Sequence, residues 1–84
     1  MNTKYALHAR FGNPVVHLED ICEEFFGISP KTAKQKAISQ VLPIATFRLD
    51  DSQRCPIMVD VSDLGDYIDK RRELALADWR MVHG

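Results

Sequence analysis

The sequence predicts an α+β domain, mostly helical, and three observations carry that reading. Residues 18–43, LEDICEEFFGISPKTAKQKAISQVLP, hold an amphipathic helix, a Gly turn, a Ser-started second helix and a Pro stop. Two short runs rich in apolar and β-branched residues follow, with a polar turn between them. A long charged segment with apolar residues at helical spacing closes the chain.

Each element follows from its residues. Thr3 to Phe11 predicts a short helix with Asn2 or Thr3 as its cap, although the alternation of Tyr5, Leu7, Ala9 and Phe11 also suits a strand. Gly12-Asn13-Pro14 is a turn. Val15-Val16-His17 is a short extended piece favoured by β-branching. In Leu18 to Phe26, the residues Leu18, Ile21, Cys22, Phe25 and Phe26 recur at helical spacing and make one apolar stripe. Glu19, Asp20, Glu23 and Glu24 occupy the other face, and the first two also suit the positive end of the helix dipole. Gly27 stops this helix, because glycine adopts the left-handed C′ conformation without penalty.

Ser29 then caps a helix over residues 29–40, with Pro30 at the first helical position, where a missing N–H costs nothing. Ala33, Ala37 and Val41 form its inner face, while Lys31, Lys34, Gln35 and Ile38 point elsewhere. Pro43 lies beyond its end. Ala45 to Leu49 and Ile57 to Val61 read as the strands of a β-hairpin around the turn Asp50-Asp51-Ser52-Gln53-Arg54. Ser62 caps a last helix over residues 63–80, with Asp63 and Asp66 near its positive end. Lys70-Arg71-Arg72 interrupts its apolar stripe of Leu64, Tyr67, Ile68, Leu74, Ala75 and Trp79, so its distal part is expected to leave the core. Those three bases suit a solvated face paired with Asp66, Asp69 and Glu73. Trp79 reads either as a cap on the core or as part of a subunit contact; Phe11, Phe25, Phe26 and Phe47 read as core residues.

The order of elements is that of a winged helix-turn-helix. The chain of 84 residues is then one domain, with the helix-turn-helix at 18–42, a two-stranded hairpin wing at 45–61 and a long C-terminal helix at 63–80. A chain this short buries little more than ~60% of its unfolded surface, which leaves no room for a deep catalytic pocket. No apolar run approaches the roughly 18 residues of a membrane span, and the start MNTKYALHARFG lacks a signal-peptide core, so a cytoplasmic, nucleoid-associated protein is expected. Cys22 and Cys55 are far apart, outside any CxxC spacing, and are expected as reduced thiols. With His8, His17 and His83 they show no zinc spacing, and no metal or cofactor is expected. No Gly-rich phosphate loop and no Ser/His/Asp pattern is present, so the protein is not expected to be an enzyme.

Charge distribution points to the partner. The net charge is -1, yet residues 27–49 carry Lys31, Lys34, Lys36 and Arg48 and no acid. One basic face on a nearly neutral molecule fits double-stranded DNA. In a helix-turn-helix the start of the second helix reaches base edges in the major groove. Those positions are Ser29, Lys31, Thr32, Lys34 and Gln35. A Gln can bond an adenine edge twice and a Lys can bond guanine acceptors, either worth ~1–3 kcal/mol of discrimination. Arg48, Ser52, Gln53 and Arg54 on the wing are placed for the flanking backbone or minor groove, against repulsion from Asp50 and Asp51. One small module buries only roughly 600–1,000 Å² on DNA, so a homodimer or repeated copies are expected, with the distal part of the last helix as the contact.

The strings LEDICEEFFGISPKTAKQKAISQVLPIATFRL, SQRCP and VDVSDLGDYIDKRRELA resemble the pyocin activator (PrtN) family of small prophage and bacteriocin transcriptional regulators. The resemblance runs from Val16 to Ala75, and its most specific parts are FFGISPKTAK and DLGDYIDKRR. The spacing is also similar to that of AlpA-type regulators and small phage excisionases. The resemblance implies promoter binding and activation of prophage or bacteriocin genes, with Lys31, Thr32, Lys34 and Gln35 as recognition positions. RNA polymerase is a further candidate partner, for which the acidic face of Glu19, Asp20, Glu23 and Glu24 is available. The alternatives are an excisionase-like architectural DNA-binding protein and a fold-sharing module that binds or inhibits another protein.

Overall fold

The computed structural model describes residues 2–84. Helix α1 spans Thr3–Phe11, strand β1 Val15–His17, α2 Leu18–Phe26, α3 Pro30–Ile38, β2 Met58–Asp60 and α4 Val61–His83. Asn2 accepts a bond from the Tyr5 amide and caps α1, which resolves both the choice of cap and that between helix and strand. Gly12 and Gly27, both left-handed, close α1 and α2.

The core lies where α2, α3, α4 and β2 meet. Leu18, Ile21, Cys22, Ala33, Val59, Val61 and Leu64 are almost wholly excluded from solvent. Phe11, Phe25, Phe26, Tyr67 and Ile68 pack around them half-buried. Helix α1 runs antiparallel to α4: Thr3 Oγ1 donates to Asp69 at 2.6 Å, Lys4 pairs with Asp66, and the His8 ring meets Ser62. Gly65 permits this crossing, because a Cβ there would stand 2.9 Å from Lys4 Cγ. Arg10 binds Glu24 across α1 and α2. Their hydrogen bond, more than their charges, raises the Arg10 pKa and lowers that of Glu24.

The expected hairpin at 45–61 is corrected. Strand β2 pairs chiefly with β1, antiparallel, with Val15 opposite Asp60 and Val16 opposite Val59. Ala45 to Leu49 forms no strand; Phe47 alone bridges Met58, through bonds of 3.1 and 2.7 Å. The reason lies in the register. The next pair outward would set Leu49 against Pro56, which has no N–H to offer the ladder. Phe47 itself is 36% exposed and lies outside the core cluster.

Other boundaries move for local reasons. Helix α4 begins at Val61, not Asp63, because Asp60 takes the cap: its Oδ1 accepts from the Ser62 and Asp63 amides. A carboxylate there also answers the helix dipole, which the Ser62 hydroxyl would not. At the other end α4 runs on to His83. Helix α3 stops at Ile38, short of 40. Gln40 is left-handed (φ 56°), its amide bonds Ala37 O, and the Val41 amide bonds Lys36 O. This double bond pattern ends a helix as a Schellman motif, with Gln where glycine is usual. Val41 is consequently turned outward, 64% exposed, and Leu42 packs inward in its place.

The Lys70-Arg71-Arg72 block is exposed, and two of the three acids expected to pair with it are engaged by α1, Asp66 by Lys4 and Asp69 by Thr3, while Glu73 is exposed and forms no ion pair among the described residues. Trp79 does not cap the core; it is exposed and stacks on the His83 ring. Cys22 is buried and Cys55 half-buried, both as free thiols. Among the described residues, no helix is long and apolar enough to cross a membrane.

Candidate nucleic-acid interface

Two alanines set the orientation of α3. Ala33 and Ala37 are its buried residues and sink it close against α2. At 100° per residue, Lys31 and Gln35 fall on the far side, about 200° from Ala33, and Ile38 joins them. All three are exposed, as are Lys34 and Lys36 on the flanks. The basic ridge therefore stands away from the core.

Ser29 and Thr32 hold the start of that ridge. Ser29 Oγ accepts from the Thr32 amide at 3.3 Å and lies 3.0 Å from Thr32 Oγ1. The two hydroxyls bind each other, so their first role is capping. Thr32 is half-buried, and of this pair Ser29 is the more open to solvent.

The segment after α3 returns to the same side. A cleft of about 290 Å³ opens between α3 and the loop 48–57, lined by Pro30, Lys34, Arg48, Gln53 and Arg54 and by Glu19 at the start of α2. The fold thus brings Lys34 together with three of the four predicted loop residues, across 14 to 20 positions of sequence. Ser52 stays outside the lining; its Oγ accepts from the Arg54 amide and shapes the turn. Arg48 has a structural duty that sequence reading missed. It is half-buried, and its Nε donates to Cys55 O at 3.1 Å, bracing the loop from within.

Electrostatically the ridge is unneutralised. Among the described residues the ion pairs are Lys4–Asp66 and Arg10–Glu24, His17 Nδ1 lies 3.8 Å from Glu19, and none of these contacts involves Lys31, Lys34, Lys36, Arg48 or Arg54. The acids nearest the ridge sit at its borders: Glu19 on the cleft, and Asp50 and Asp51 beside Ile38. Ile38 is an addition to the predicted set. It is 63% exposed, one heptad from Lys31 on the same face, and that spacing was the available signal.

The family model described as pyocin activator protein PrtN matches residues 3–75. The match takes in α1, both strands, α2, α3 and the first 15 of the 23 residues of α4, and so every residue of the cleft and ridge. Neither the curated proteins nor the solved structures contain a significant match.

Proposed function

The chain belongs to the pyocin activator protein (PrtN) family, a regulatory and not an enzymatic family, and we propose that it activates prophage or bacteriocin genes by binding duplex DNA sequence-specifically. The single domain carries a winged helix-turn-helix reading in which α3 enters the major groove and the loop 48–57 serves as a reduced wing.

One observation carries this: Lys34, Arg48 and Arg54 converge on one cleft, and among the described residues none of them has a carboxylate partner. Lys31 and Gln35 face outward together, at the spacing of one helical turn, and reach base edges. Ile38 beside them offers an apolar contact to a thymine methyl. Lys34, Arg48, Gln53 and Arg54 hold a backbone phosphate at the cleft. The Ser29 and Thr32 hydroxyls order the helix start, where the Lys31 amide adds a further phosphate contact. Asp20 and Glu23, exposed on α2 away from the Arg10 pair, are the surface available to RNA polymerase.

Selection from random duplexes, followed by footprinting of the recovered consensus, tests the reading. A consensus within a promoter is expected. Tandem sites in a phage attachment region would instead identify an excisionase-like architectural protein. Charge reversal at Lys31 and Lys34 is expected to abolish binding; retention of wild-type affinity in that double variant would refute the interface.

A further inference from the structure

Helix α4 has 23 residues, roughly 34 Å at 1.5 Å per residue. Its apolar stripe begins in the core with Val61, Leu64 and Ile68, is interrupted at Arg72, and resumes at the same three- and four-residue spacing with Ala75, Leu76, Trp79 and Val82. Helix α1 covers that stripe only as far as the Thr3–Asp69 bond. From Lys70 onward every residue is exposed except half-buried Leu76. Trp79 is 58% and Val82 80% exposed. Residues 76–83 also lie outside the segment that matches the family.

A free helical extension of this length is marginal in water without a packed face. Arg72, Ala75, Leu76 and Trp79 line one shallow hollow on it. The Trp79 indole is already laid flat, stacked on the His83 ring at 4.4 Å with 8° between planes. We propose that this half of α4 is the face on which two copies of the chain pair antiparallel. Each Trp79 seats on the Arg72–Ala75 step of the second copy.

Charge and size select that occupant and that direction. The bases Lys70, Arg71 and Arg72 and the acid Glu73 sit at the inner end of the exposed half, and Asp78 and Arg80 sit near the outer end. A parallel pair would set both basic blocks side by side. Reversal separates them and brings Asp78 and Arg80 of each copy towards the bases and Glu73 of the other. The same reversal puts the largest side chain of the stripe over the smallest, Ala75, with the Arg72 guanidinium beside the indole face. The two-fold axis passes near Leu76, as an isologous contact requires. A single helix pair buries less than the roughly 1,600 Å² of a standard interface, so the dimer is weak in solution and strengthened on DNA by tethering to adjacent sites.

Trp79 is the only tryptophan, so its emission reports this surface alone. The full chain is measured by sedimentation across a wide concentration series, with Trp emission and acrylamide quenching recorded on the same samples. A twofold rise in mass, with a blue shift and reduced quenching on the same concentration scale, is expected. Trp79→Ala and Leu76→Glu are expected to stay monomeric with unchanged thermal unfolding, since both sites lie outside the core; Met81→Ala, on the opposite side of α4, associates as wild type. A chain that remains monomeric throughout, a dimer whose Trp79 stays open to quencher, or undiminished association of Trp79→Ala overturns the proposal.

Discussion

Lys34→Gln removes one positive charge from the cleft without adding an acid. Four bases of the proposed interface, Lys31, Lys34, Arg48 and Arg54, are free of carboxylate partners among the described residues. If each neutralises one phosphate, the log–log salt slope is about −0.9 × 4, or −3.6 per bound protomer, and raising salt from about 50 to 200 mM weakens binding about 150-fold. With three contacts left, the slope falls to about −2.7 and the same salt step costs about 40-fold. Fluorescence anisotropy of a labelled consensus duplex over a salt series reads both values. Lys70→Gln, on the exposed part of α4 and away from the cleft, is the control and leaves the slope unchanged. A wild-type slope shallower than about −1, or a slope that Lys34→Gln does not alter, would refute the claim that this cleft meets phosphate.

Three further outcomes test the framework. Asp60→Ala deprives two α4 amides of their acceptor and is expected to cost about 1–2 kcal/mol in chemical denaturation, whereas Ser62→Ala loses only the His8 contact and costs about 0.5–1 kcal/mol; the reverse order would disprove the assigned cap. Gln40→Gly relieves a left-handed residue after α3 and should stabilise by about 0.5–1 kcal/mol, and a loss of stability would contradict the Schellman geometry. Glu24 has a folded-state pKa below its unfolded one, so its contribution is complete above the ordinary glutamate range and is lost as pH falls through the folded value. Arg10, raised, stays charged throughout. Glu24→Gln should therefore flatten the decline of stability on the acid side, and identical acid profiles for both proteins would argue against the Arg10 bond.

The elements most legible in the sequence were those whose signals are local. Ser29-Pro30 and Gly27 set the start of α3 and the end of α2 where they were expected, because a cap or a left-handed glycine acts within one turn of chain. The α2 stripe predicted its buried residues Leu18, Ile21 and Cys22. The hairpin misled because two β-prone runs either side of a turn look alike whether they pair with each other or with a third segment. Only the packing of Val59 and Met58 against the core shows that β2 belongs beside β1, forty residues earlier. For the site, the lysines of α3 were legible from charge alone. That Lys34 shares a cleft with Arg48, Gln53 and Arg54, and that Arg48 is also a brace, depends on how the loop folds back.

Taken alone, the order of residues determined helices α2, α3 and α4, the Gly27 stop and the Ser29 cap, the basic character of α3 and the kinship that its motifs carry. Those properties depend on neighbours within about four positions, where backbone hydrogen bonding and side-chain periodicity operate. Tertiary structure decided which strands pair, which acids bind which bases and which half of α4 lies bare. Such outcomes turn on contacts between distant segments competing for the same small core. Asp66 and Asp69 show it plainly: beside three bases in sequence, they were taken instead by Lys4 and Thr3, because α1 packs across Gly65.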